Sequence, residues 1–305
     1  MIIKQRRSYY GEDVEYFNGN KWVKLKDYSK VDKVLTYDDE DGSCYLTTPI
    51  KFFKIKCAYM NRLYYGNIFH LDVGDENVFY GLERSNLTPN EMTFNEIYQS
   101  NYYFFSNHFF LCTFKNNTNT CTMLDDTKFK IMIYAILWGE INEQTNICKM
   151  KVPNKELYND IKRMLRNIIP IKSDNEKFII ELRLPRSIKT FIENPLILSP
   201  KELYTATDIF NHSVKGRALK PKYVDSMDFI QMVYALNGTR ATIENTKKKG
   251  LHIKVWDSNM IRFDLSSFYM ENISIIDKCG ISVKTGLIPL RINGSKIIVL
   301  GDYRK

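Results

Sequence analysis

Nine lysines and arginines fall between positions 215 and 254: Lys215, Arg217, Lys220, Lys222, Arg240, Lys247, Lys248, Lys249 and Lys254, against three acids. A stretch this dense in cations can neutralise phosphates, and binding of that kind weakens with salt because condensed counterions are released. The Lys247–Lys249 triplet taken alone has the plainer reading of a solvated turn. The charge of the whole chain is lopsided in the same sense. Residues 1–125 hold 14 Lys/Arg against 16 Asp/Glu, and residues 126–305 hold 30 against 19, within a formal net charge of +9. A polyanion partner is therefore expected for the second part. A lysine-rich solvated surface from an AT-rich genome is the bland account of the same numbers. Other chemistry is sparse. The six cysteines are scattered with no C-x-x-C pair, so neither a zinc site nor a disulfide framework is expected, and reduced core thiols are.

The elements that would position these cations change character along the chain. In DVEYFNGNKWVKLKDY, Asn18-Gly19 separates two alternating runs, a hairpin signal. Asp41-Gly42 does the same in the next stretch, and alternation through Ile50, Phe52 and Ile55 suits a half-buried sheet. From residue 125 the period becomes helical. DDTKFKIMIYAILWGEI opens on capping aspartates and is apolar all round from Ile131 to Leu137, the pattern of a buried helix. A strand (ICKMKV), an amphipathic helix (PNKELYNDIKRMLRNII), a strand (KFIIELRL) and a helix opened by Ser199-Pro200 follow. The order then recurs with KGRALKPKYV as strand, DSMDFIQMVYALNG as helix closed by Gly238, and TRATIENT and LHIKVW as a strand pair. Two such passes predict a pseudo-duplicated α+β unit over about 120–258. The tail returns to strands and carries Asn293-Gly294 between two short apolar runs, a further hairpin. A terminal hairpin needs a sheet begun elsewhere, so it is expected to complete the N-terminal one. Hydrophobic residues make up 44% of the chain, enough for packed cores. No run approaches the length of a membrane span, and the first residues lack the apolar stretch of a secretory signal, so a cytoplasmic protein without membrane contact is expected.

Three strings in this order resemble inteins that carry a LAGLIDADG (dodecapeptide) homing endonuclease, as in phage genes. DVEYFNGNKWVKLKDYSKVDKVLTYDDEDG is similar to the opening blocks, with Trp22, Val34, Tyr37 and Gly42 in the matching places. DKCGISVKTGLIPLRINGSKIIVLGD is similar to the closing blocks through Cys279, Val283, Arg291, Asn293, Gly294 and Gly301. YVDSMDFIQMVYALNGTRATI resembles an endonuclease segment in which a helix leads to G-x-R-A-x-I. The resemblance implies an α+β fold in which an intein-like (Hint) β domain is built from 1–115 and 261–305, with a pseudo-duplicated LAGLIDADG domain, 116–260, inserted. It further implies a monomer that is sufficient for an asymmetric double-stranded DNA site, in the cytoplasm of the host cell if phage-encoded.

The chemistry such proteins require is mostly missing here. Splicing in that family uses a first-position Cys or Ser, a T-x-x-H and a terminal Asn. Ser8 is the nearest candidate nucleophile, His70, His108, His212 and His252 all lack Thr three residues earlier, and Asp302 stands near where the Asn is needed. Splicing is expected to be lost. Cleavage in that family uses one carboxylate from the end of each of two motif helices to hold divalent cations. Glu140 is the first candidate, or Gly139 in an alignment shifted by one. The second motif reads Asn211-His212-Ser213 where an acid is expected, and Asp208 lies more than a turn earlier. Glu140 reads equally as a solvated helix-end carboxylate and His212 as a helix-end imidazole. No cofactor is expected, or Mg²⁺ at Glu140 if the protein is active. The leading expectation is a splicing-inactive, poorly catalytic DNA-binding relative. The alternatives are an active Mg-dependent site-specific endonuclease, and a repurposed scaffold for a protein partner such as a polymerase subunit or host defence factor.

Overall fold

A computed structural model describes residues 8–11, 13–56, 59–65, 69–116, 121–165, 172–214, 217–263, 268–274 and 277–301. Strands and helices are mixed throughout, with seven α-helices among the described residues. The chain divides into two compact units, one of residues 1–117, 238–242 and 256–305, the other of 118–237 and 243–255. No described helix is long and apolar enough to cross a membrane.

The first unit is built on a sheet to which both ends of the chain contribute. Its order is Met260–Arg262, His108–Leu111, Val78–Glu83, Lys296–Gly301, Leu287–Ile292, Val14–Phe17 and Trp22–Lys24, with Pro89–Thr93 beside Val78–Glu83. The turn at Asn293-Gly294 sets the terminal hairpin, since both residues take positive φ (52° and 61°), as the mirror-image hairpin turns require. Leu287–Ile292 then pairs with Lys296–Gly301, and every residue of both strands is buried. Leu287–Ile292 also pairs with Val14–Phe17, and Gly301 with Val78. The hairpins expected at Asn18-Gly19 and Asp41-Gly42 form too. Ile288, Leu290, Ile298 and Leu300 pack with Phe79, Phe94, Phe104, Phe105 and Phe110 in one cluster, and Phe79 meets the rings of Phe105 and Phe110 edge-on. Burying each such side chain contributes roughly 1.5–3 kcal/mol.

One expectation, the half-buried sheet through Ile50, Phe52 and Ile55, is met at Phe52 and not at the two isoleucines. Among the described residues, Lys51–Lys56 pairs only with Asp277–Ser282, in a two-stranded sheet. Asp277–Ser282 in turn bridges to Tyr10 through Cys279, and Phe52 is half-buried against the core cluster, but Ile50 and Ile55 are exposed.

The second unit starts with helix Asp126–Trp138. Asp125 caps it by accepting from the Lys128 backbone N–H, and all residues from Ile131 to Leu137 are buried. Helix Pro200–Ser213 has proline at its start and a capping box in which Ser199 and Glu202 each bond the other's backbone. It packs against Asp126–Trp138 on one side and Met227–Leu236 on another. Gly139–Asn142, Ile147–Lys151, Ile179–Arg183 and Lys172–Asp174 form a four-stranded antiparallel sheet, and Ala218–Leu219, Gly250–Val255 and Ala241–Thr246 a three-stranded one. Helix Lys155–Met164 buries Tyr158 and Ile161.

The strand expected over KGRALKPKYV reduces to Ala218–Leu219. Pro221 has no N–H to continue a ladder. The next two N–H groups are drawn elsewhere: Lys222 donates to Leu137 O (3.0 Å) and Tyr223 to Ile136 O (3.1 Å). Those carbonyls belong to the last turn of Asp126–Trp138, where a helix leaves its acceptors unsatisfied.

Candidate nucleic-acid interface

The three-stranded sheet presents most of the basic residues. Gly250–Val255 and Ala241–Thr246 are joined by Lys247, Lys248 and Lys249; Lys247 and Lys248 are exposed and Lys249 is half-buried, its N–H donating to Thr246 Oγ1. Arg217 and Lys220 are exposed at the opposite edge strand. Arg217 takes φ 63° and its carbonyl accepts from Val255 N–H, which fixes the entry to the short strand. Lys254 pairs with Glu244 at 3.5 Å. His252 beside it is buried, with Nδ1 2.8 Å from Gly250 O and Nε2 4.0 Å from Glu244 Oε2. Lys222 lies beyond Pro221, with Nζ 3.1 Å from Glu140 Oε1. Lys215 lies outside the described residues.

Arg240 is different in kind. It belongs to the first unit, where its guanidinium lies 4.1 Å from the Trp256 ring centre and Nη1 donates to Met260 O at 2.9 Å. Its guanidinium is thus half-buried, stacked and bonded to backbone.

The four-stranded sheet carries charge in another pattern. Its register aligns Glu140, Lys149, Glu181 and Lys172 across all four strands. Alternating signs in one cross-strand row attract each other and leave little net field for a polyanion. Glu140 is thus a strand residue in an ion pair, not a helix-end carboxylate, because the helix stops at Trp138. Gly139 permits this path: a Cβ there would sit 2.4 Å from Cys148 Sγ and 2.5 Å from Ala135 O. The strand can turn away from the helix only with no side chain at that point, so the shifted alignment also has no room for an acid.

Asp208 is on helix Pro200–Ser213, half-exposed, with Oδ1 3.6 Å from His212 Nδ1, which also lies 2.8 Å from Asp208 O. Asp208 and His212 line an open cleft of about 840 Å³ with Tyr134, Trp138, Lys220 and Lys249; Glu140 is not on its wall. Tyr134 and Trp138 stack within it, ring centres 5.3 Å apart and planes 19° from parallel. Burial, and then the carboxylates of Asp160, Asp208 and Asp126, raise the Tyr134 phenol above its ordinary range. Among the described residues no group of three or more His, Cys, Asp or Glu is placed to hold a metal ion. Nothing in the sequence announces this cleft, because its walls come from positions between 134 and 249 that only the helix packing gathers.

In the first unit, Ser8 is buried: its hydroxyl donates to Gly301 O (2.7 Å) and accepts from Val78 N–H (3.1 Å). Tyr10 donates to the same carbonyl at 3.2 Å. The Ser8 proton and one of its lone pairs are thus engaged. Asp302 lies outside the described residues. Arg291 and Trp22, from strings near opposite ends of the chain, meet with the guanidinium 5.1 Å from the ring centre.

No protein-family model matches this chain, and no curated protein does. Among solved structures it is similar to a splice-inactive, GSH-linked variant of the AceL NrdHF class 3 split intein, at 8% sequence identity and a TM-score of 0.36, over 97% of this chain and 99% of that one. A likeness at that level does not establish a shared fold.

Proposed function

We propose that this protein binds double-stranded DNA through the basic three-stranded sheet and its turn, as a relative of LAGLIDADG-bearing inteins that neither splices nor cleaves efficiently. The observation that carries the reading is the contrast between the two sheets of the second unit. One alternates its signs along the cross-strand row Glu140, Lys149, Glu181 and Lys172, while the other has Arg217 and Lys220 exposed on either side of its edge strand Ala218–Leu219 and Lys247 and Lys248 exposed in its turn. Backbone phosphates are the ligand such a surface suits, through contacts that position a duplex without reading its sequence. Poor cleavage is favoured because Glu140 is paired with Lys222 and stands apart from the cleft that holds Asp208. Loss of splicing is favoured by the engaged Ser8 hydroxyl and the absence of T-x-x-H from the sequence.

The test is incubation of the full chain with its own genomic DNA with and without Mg²⁺, scoring cleavage and salt-sensitive retention together. Retention that falls steeply with salt, with no nicking, is expected. Cleavage in Mg²⁺ that Glu140→Gln abolishes establishes the endonuclease reading instead. Absence of retention at low salt turns the basic sheet toward a protein partner.

A further inference from the structure

We infer that the cleft between helices Asp126–Trp138 and Pro200–Ser213 binds a nucleotide unit, an aromatic base carrying a phosphate, at a site that shares Lys220 with the proposed duplex surface but does not use Lys247 or Lys248. The wall supplies the three contacts such a unit needs. Trp138, already ordered by its stack on Tyr134, gives a broad aromatic surface at the helix end. Bases of every kind stack on such surfaces because each has a π-face. Lys220 and Lys249 line the same cleft and supply cations for a phosphate. Lys220 is exposed on the residue that follows the short strand, and the N–H to Thr246 Oγ1 holds the backbone of Lys249 in its turn. Asp208, also on the wall, brings an acceptor that suits a base amino group or a sugar hydroxyl and opposes a second phosphate near it.

Size and character agree. A volume of about 840 Å³ falls in the range of small-ligand clefts, which are mostly apolar with a few placed polar groups. Here Leu157, Ile209 and Pro153 form the apolar part. A duplex keeps its bases stacked inside and cannot offer one to Trp138, so the occupant is either a free mononucleotide or the end of a single strand. Both present the same chemistry.

The two sources separate in one titration series on the full chain, read by tryptophan fluorescence and by calorimetry. The probes are adenosine 5′-monophosphate and a 5′-phosphorylated hexamer of deoxyadenosine. Saturable binding with quenching is expected for at least one probe. A hexamer bound tenfold tighter than the mononucleotide assigns a strand end, and equal or weaker binding assigns the free nucleotide. Trp138→Ala is expected to remove the quenching and weaken binding at least tenfold. Lys220→Glu, an exposed position that leaves the packing alone, is expected to weaken the phosphorylated probes at least fivefold while adenosine changes less than twofold. Lys247→Glu with Lys248→Glu is expected to leave both probes unaffected even where duplex binding falls, which distinguishes failure of this site from failure of the duplex surface. Two results overturn the inference: no saturable binding of either probe at millimolar concentration, or wild-type affinity in a folded Lys220→Glu variant.

Discussion

Glu15 and Arg291 stand 276 positions apart and share two hydrogen bonds, Nε to Oε2 at 2.7 Å and Nη2 to Oε1 at 3.2 Å. They are direct partners in the register of Val14–Phe17 with Leu287–Ile292, and their side chains are only 14% and 7% exposed. Removing one member strands the other's charge where water scarcely reaches, at a cost of about 3 kcal/mol. Arg291→Met alone is therefore expected to lower denaturant stability by about that amount. Glu15→Gln with Arg291→Met is expected to lose less than the sum of the single changes, because no charge is left unpaired. Strict additivity in the double-mutant cycle refutes a coupled pair.

Reversing Lys247 and Lys248 to Glu tests the duplex surface without touching packing, since both side chains are exposed. Affinity for duplex DNA is expected to fall for all sequences alike. The slope of log affinity against log salt should shrink by about one for each phosphate that the variant no longer neutralises. An unchanged slope places the phosphate-binding groups elsewhere.

Glu140 and Lys222 are 65% and 55% exposed, and ion pairs so exposed contribute only about 0–1 kcal/mol. Glu140→Gln is expected to leave the unfolding midpoint nearly unmoved. It is also expected to leave DNA retention equal or slightly stronger, as a carboxylate near phosphates is removed. A retention loss above fivefold would give Glu140 a role beyond that ion pair.

Gly139→Ala is expected to destabilise the protein by about 1–3 kcal/mol through overpacking, because the added methyl meets Cys148 Sγ and the Ala135 carbonyl at under 3 Å. The φ of −89° at this residue is open to any amino acid, so the cost is steric. Cys148→Ala in the same chain should recover part of it; a Gly139→Ala variant as stable as wild type contradicts the packing described.

Burial pushes the Cys112 and Cys148 thiols up to about 12, whereas Cys121 is exposed. At pH 8 a thiol of that pKa is thiolate in about one molecule in ten thousand. Brief alkylation of the native protein, mapped by mass spectrometry, should mark Cys121 and spare Cys112 and Cys148 until denaturant is added.

Local chemistry made parts of this structure legible. Asn293-Gly294, Asn18-Gly19 and Asp41-Gly42 announced turns because few residue types accept positive φ, and Asp125 and Ser199-Pro200 announced helix starts because orphan N–H groups need an acceptor. The capping box of Thr93 and Glu96 carries the same signal in a segment whose strand character hid it. What the local pattern could not show was decided by distant partners. Pro221 and the carbonyls of Ile136 and Leu137 shortened a strand, Cys148 required a glycine at 139, and Trp256 gave Arg240 an aromatic partner that the run of cations did not announce.

The large sheet is unfinished until Gly301 has been made, since Val78–Glu83 and Val14–Phe17 each take one neighbour from the hairpin Leu287–Gly301. At synthesis rates of about 5–20 residues per second, the strand ending at Glu83 waits about 10–45 s for Lys296–Gly301. Residues 118–237, nearly all of the second unit, are contiguous and need no such delay. On the ribosome the middle of the chain should therefore fold while the start still shows open strand edges, which are prone to pairing with other chains. Limited proteolysis of nascent chains stalled near residue 280 should find the 121–255 region protected and the 8–116 region cut. Equal protection of both would mean that the early strands find a temporary arrangement of their own.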